Sequence, residues 1–165
     1  MELNPYAKNL DGNDPIPVLA STSKRLHTLT TGLTYAQLTT PPAPGKWSIT
    51  NIVTHLADTE LVFSFRLRQT LAPALDQPHH IIQPFDQDAW AQRYAVYPLE
   101  PALALFDAIR NWNLLFLATV SDDDRHRPAT HPERGTMTLW TIVETMAGHD
   151  LNHLQQLERL AQIGL

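Results

Sequence analysis

TLWTIVETMAGHDLNHLQQLERL, residues 138–160, repeats its apolar side chains with the period of an α-helix. At 100° per residue, with His149 set to zero, Leu139, Ile142, Met146, His153, Leu157 and Leu160 fall within about 80° on one side. Both imidazoles therefore lie inside the stripe that should face a core. Their i, i+4 spacing puts them one turn apart, which suits chelation of one metal ion. Alone, the pair decides little. Eight histidines in 165 residues make a chance H-x-x-x-H ordinary, and hydrogen-bonded core histidines would read the same way.

A second stretch changes the balance. Ser48 is an N-cap candidate, and ITNIVTHLADTELVFSFRLRQTLA, 49–72, runs helically until Pro73 stops it. With His55 at zero, Ile52, Leu56, Phe63 and Leu67 mark its buried stripe, and Thr59 and Arg66 lie in the same stripe. A charge in a core stripe needs a polar pocket or a buried partner. Arg66 is thus either a clamp for an anionic substrate group or the partner of an acid, unless it snorkels to the rim. His55 supplies a third inward imidazole. Three neutral nitrogens with one open position is the pattern of a catalytic divalent-metal site rather than a closed structural one.

Two more helices complete the pattern. DPIPVLASTSKRLHTLTT, 14–31, holds Ile16, Leu19, Leu26 and Leu29 at helical spacing, with Asp14 as N-cap and Pro15 in the first turn. PALALFDAIRNWNLLFLATV follows from about Pro101, and the last helix runs from about Thr136 to Gln162. TYAQL (34–38) and DQDAWAQRYA (86–95) read as short helical turns, the second capped by Asp86 or Asp88. Residues 73–100 form a long connection and 121–135 a polar loop; no stretch reads convincingly as a strand. Four amphipathic helices give an all-α four-helix bundle formed by a single domain over 1–165. The long crossover between the second and third helices would let them run parallel, giving up-down-down-up topology.

Other polar residues carry less. His79, His80, His126 and His131 fall in loops and read as solvated, and His27 as exposed. Asp58 and Glu60 read as surface ion-pairing groups on the helix edge, Asp122, Asp123 and Asp124 as a charged loop, and Gln156 as support for the histidine face. With no cysteine there is no disulfide, thiolate site or cysteine nucleophile. The formal net charge of −5 and scattered basic residues argue against a nucleic-acid partner. No apolar run approaches the roughly 20 residues of a membrane span, and the acidic N-terminus has no signal-peptide core, so a cytoplasmic protein is expected.

GKWSITNIVTHLADTE, the following Arg66, and GTMTLWTIVETMAGHDLNHLQQLERL together resemble the DinB-like (YfiT-like) metalloenzyme superfamily. The resemblance covers most of the chain. It implies an up-down-down-up bundle, often a homodimer, that holds nickel or zinc on a histidine of the second helix and two of the fourth. Those positions match His55, His149 and His153. Relatives use low-molecular-weight thiols as S-transferases or as an isomerase, or are labelled hydrolases. A homodimer is also expected from apolar residues on outer faces, such as Val62 and Leu114.

Three functions remain open. The first is a thiol S-transferase in which a bound ion lowers the pKa of a low-molecular-weight thiol and Arg66 holds its carboxylate. The second is a hydrolase whose water the ion activates. It ranks lower here because neither stripe offers an inward Glu or Asp as general base. The third is a non-catalytic, metal-stabilised binding protein. A site closed by large side chains would favour the third.

Overall fold

The computed structural model describes residues 2–163. In chain order the elements are α1 (Ala7–Leu10), α2 (Pro15–Thr30), α3 (Tyr35–Thr39), α4 (Ile49–Leu71), β1 (His80–Ile81) and α5 (Gln87–Ala91). A 3-10 turn (Tyr94–Val96) follows, then α6 (Leu99–Leu117), α7 (Asp122–Arg125), β2 (Pro128–His131), β3 (Gly135–Thr138) and α8 (Leu139–Ile163). The long helices α2, α4, α6 and α8 form a four-helix bundle.

Capping sets where these helices begin. The Asp14 carboxylate accepts from Ile16 N–H, with Pro15 in the first turn of α2. Ser48 and Asn51 cap α4 reciprocally, and Thr34 and Gln37 do the same for α3. Asp86 caps α5 by accepting from Asp88 and Ala89 N–H. The third helix starts at Leu99, two residues before the expected Pro101, which sits inside its first turn.

Pairings across the bundle give its direction. Leu19 O accepts from Arg110 and Ser23 pairs with Asp107, so α2 and α6 run antiparallel. Glu60 meets Arg110 and Arg68 meets Asn113, so α4 and α6 run parallel. Thr22 bonds Asp150 and Arg25 bonds Glu158, so α2 and α8 run parallel. The topology is up-down-down-up: α4 and α6 pack side by side, while α2 lies diagonal to α4 and α6 diagonal to α8.

The absence of strands in the sequence reading is corrected. A three-stranded sheet, ordered β1-β2-β3, caps one end of the bundle. His80 and Ile81 pair in parallel with Ala129 and Thr130, and β2 pairs antiparallel with β3 from Pro128–Thr138 to His131–Gly135. Gly135, at φ +92°, lets the chain turn back into β3. Residues 136–138, expected in the last helix, are held in that strand, and α8 starts at Leu139. Strands of two to four residues with mixed polar content show no alternation long enough to read.

Two apolar clusters fill the interior. One gathers Leu19, Phe63, Leu67, Leu139, Ile142 and Met146 with Ile82, Ala129 and Met137 of the sheet end. The other gathers Leu26, Ile52, Val53, Leu56, Phe106, Leu154 and Leu157. Between them lies a polar layer of His55, Glu60, Arg110, Asn113, His149, Asp150 and His153, all buried.

Gly148 fixes how the N-terminal segment meets α8. A Cβ there would stand 2.5 Å from the Tyr6 carbonyl oxygen and 2.8 Å from the Tyr6 Cβ. In a solvated helix Gly→Ala gains about 1 kcal/mol of helix propensity. Against backbone that close, steric overlap should reverse the sign. Gly148→Ala is expected to lower the melting temperature, and a rise would show that the Tyr6 segment yields freely.

Candidate metal centre

His55 on α4 and His149 and His153 on α8 are all buried, and their ring nitrogens converge. His149 Nε2 lies 3.1 Å from His55 Nε2 and 3.1 Å from His153 Nε2. The sequence expectation tolerated a separation of about 7 Å; the observed contact is far inside it.

The donor set fits a divalent cation. Nitrogens about 2.1 Å from one ion sit roughly 3.0–3.4 Å apart in octahedral or tetrahedral coordination. Burial, with His153 nearby, pushes the His55 imidazole down to about 3. Burial also pushes His149 well below its ordinary range, with His153, His55 and Arg110 adding to the effect. Both rings are therefore neutral, with lone pairs to offer. His153 Nδ1–H donates to Gln156 Oε1 at 3.0 Å, which leaves its Nε2 lone pair facing the other two rings. Gln156 thus supports the histidine face as expected.

Aromatic rings close the surroundings. Trp47 lies 4.7 Å from the His55 ring and stacks at 6.3 Å on His153. Tyr6 meets His149 edge-on at 5.1 Å, and Phe63 stands 6.0 Å away. The triad is nevertheless not sealed. His149 lines a cavity of about 320 Å³ with Tyr6, Thr59, Phe63, Arg66, Glu133 and Arg134. His55 and His153 line a second, wider cleft with Trp47, Asn152 and Gln156.

Arg66 does reach the cavity but has no acidic partner. Among the described residues no carboxylate lies within 4.0 Å of it; its Nη2 donates weakly to Gln83 O at 3.3 Å. Its guanidinium stands 5.9 Å from the Phe63 ring and 6.0 Å from Phe85. The ion-pairing expectation belongs instead to Arg110, which the sequence reading passed over. Arg110 donates to both Glu60 carboxylate oxygens at 2.9 and 2.7 Å, to Asp150 at 2.6 Å and to Leu19 O at 2.9 Å. Asn113 donates to Glu60 and Thr22 to Asp150. Burial pulls the Arg110 pKa down, but Asp150 and Glu60 outweigh it and hold the guanidinium charged.

Several surface readings are corrected with it. Glu60 is a core acid, not an edge group, because α4 packs against α6 as well as α8. Asp58 accepts from the Tyr94 hydroxyl rather than from a cation. His80 and His131 are buried in the small sheet, and His79 bonds Thr130, whereas His126 is exposed as expected. His27 is exposed and meets Asp107. Val62 lines the cavity and Leu114 packs on the core, so the exposed apolar residues of the outer face are others, including Leu61, Phe65, Trp112 and Leu115. Arg110 and Asn113 did leave a trace in the sequence. They fall in the stripe Leu103, Phe106, Arg110, Asn113 and Leu117, as Arg66 does in its own helix.

The DinB superfamily model matches residues 19–157. A protein of Geobacillus kaustophilus named "Putative metal-dependent hydrolase" is 31% identical over 139 residues, covering 82% of this chain and 75% of its own. A protein of the same name from Oceanobacillus iheyensis is 28% identical over 127 residues, covering 76% and 72%. Bacillus subtilis YfiT is 25% identical over 150 residues, covering 89% and 82%. The solved structure of YfiT, described as "a probable metal-dependent hydrolase with an unusual four-helix bundle topology", superposes with a TM-score of 0.81. At 24% identity over 90% of this chain and 85% of that one, that likeness bears on the fold. Among the described residues no helix is long and apolar enough to cross a membrane.

Proposed function

The chain belongs to the DinB superfamily, and on that footing we propose that it is a metal-dependent hydrolase of a small molecule. His55, His149 and His153 would hold one divalent ion, zinc or nickel, through Nε2. A bound ion supplies Lewis acidity at the cavity wall. The observation that carries the reading is the opening of the triad. His149 faces a cavity large enough for a small substrate, which a purely structural site has no need of.

The chain's own groups supply the rest. Glu133, in the turn between β2 and β3, is the acid among the residues lining that cavity. It meets the objection that the helical stripes offer no free base, since Glu60 and Asp150 are committed to Arg110. In the proposed step, water adds to the electrophilic carbon or phosphorus, Glu133 accepts its proton, and the leaving group departs with that proton. Arg66, on α4, contacts the substrate from the same cavity. The names of the Geobacillus and Oceanobacillus relatives support hydrolysis over the thiol transfer anticipated from sequence. The exposed Leu61, Phe65, Trp112 and Leu115 offer apolar surface to a second copy of the chain, the homodimer anticipated there.

The test is to reload the stripped protein with zinc or nickel and screen esters, amides and phosphoesters with and without added thiol. Metal-dependent hydrolysis without thiol is expected, with Glu133→Gln slowing turnover by about 10²–10⁴-fold. Turnover that requires a thiol and consumes it would overturn hydrolysis in favour of S-transfer.

A further inference from the structure

The cavity beside His149 carries a charge pattern that the ion and Glu133 do not explain. Arg66 approaches it from α4 and Arg134 from the β2–β3 turn. Each has its Nε buried without a hydrogen-bond partner. Among the described residues neither guanidinium has a carboxylate within 4.0 Å. Arg134 acts on Arg66 as a like charge, and burial is the larger cause that brings Arg66 down to about 10. Both cations also push His131, on the same wall, in the same direction.

Two half-buried guanidinium groups facing one cavity are costly unless something anionic arrives to pair with them. The contrast with Arg110 is direct. There the fold supplies two carboxylates in contact, whereas here the cavity's acid, Glu133, is not within 4.0 Å of either guanidinium.

We propose that Arg66 and Arg134 form an oxyanion subsite that holds a carboxylate or phosphate group of the substrate. This rests on the reading of the cavity as the substrate site, and it assigns that substrate's class: a small anion whose scissile bond lies toward His149. The guanidinium forks would grip two oxygens of one group. Phe63, Phe85 and Ile82 line the wall for the apolar remainder.

The test avoids catalysis. Metal-stripped protein in a buffer free of other polyvalent anions is titrated with inorganic phosphate and, separately, with succinate, by calorimetry. At least one is expected to bind, which tells phosphate from carboxylate, and to bind at least ten-fold more weakly to Arg66→Gln and to Arg134→Gln. Arg125→Gln, which removes an exposed arginine on α7, should bind as wild type. If a Gln variant does not fold, the Lys variant at that position keeps the charge and loses the fork, and it too should bind more weakly. Failure of both anions to bind, or binding unchanged in both cavity variants, would overturn the subsite. An equal loss in Arg125→Gln would overturn it as well, since general surface charge would then be responsible. Anion binding in a protein without hydrolytic activity still supports the subsite, so the two readings fail separately.

Discussion

His149→Ala is expected to abolish retention of a divalent ion. Its Nε2 is the nitrogen that both His55 and His153 face at 3.1 Å, so its loss leaves two donors and no closed set. Gln156→Ala provides the scale. Losing the bond to His153 Nδ1 removes support for a ligand rather than a ligand, and such changes cost about 10–100-fold in metal affinity. His149→Ala should exceed that. The measurement is metal content after gel filtration, with affinities from chelator competition. Stability gives a second readout. An ion at a thousand times its dissociation constant adds about 4.1 kcal/mol to the folded state. Wild type should show that rise on adding metal, and His149→Ala should show none. Wild-type metal content in the variant would sink the three-histidine site.

Arg110→Ala should be the most destabilising single change in the helices. The guanidinium is about 1% exposed and satisfies three oxygens of Glu60 and Asp150. Removing it strands two buried carboxylates between α4, α6 and α8. Breaking one side of a buried ion pair costs about 3–5 kcal/mol, a large part of a domain's total stability. Glu60→Gln, which keeps an acceptor for Asn113 and removes one charge, should cost less. Denaturant unfolding of the two variants against wild type checks the order. An Arg110→Ala midpoint indistinguishable from wild type would show that water reaches the layer. Asp150 adjoins His149 in sequence, so folded Arg110→Ala should also have a loosened histidine face, visible as weaker metal retention.

Much of the protein was legible from local pattern. Ser48, Asp14 and Thr34 announce helix starts because each acts on backbone amides two or three residues away. The stripes of α4 and α8 place His55, His149 and His153 inward because a 3.6-residue period depends only on the chain itself. Three inward imidazoles of that kind were sufficient to anticipate that the rings converge. Gln156 was legible for the same reason, lying one turn from His153 on the same helix.

What needed the tertiary structure depends on which neighbour each face meets. Glu60 lies outside the His55 stripe, yet it is buried because α4 packs against α6 as well as α8. A one-stripe reading therefore took it for a surface group. Asp150 is turned toward α2 and α6 in the same way, and both acids converge on Arg110 from helices far apart in sequence. The strands at 80–81, 128–131 and 135–138 hold together by pairing with each other, so no one of them carries a signal alone. They bring Glu133 and Arg134 to the cavity that Arg66 lines. The sequence by itself determined the bundle and the three nitrogens; the hairpin's approach to α4 and α8 decided what faces them, because that contact is set by packing between segments and not by any local period.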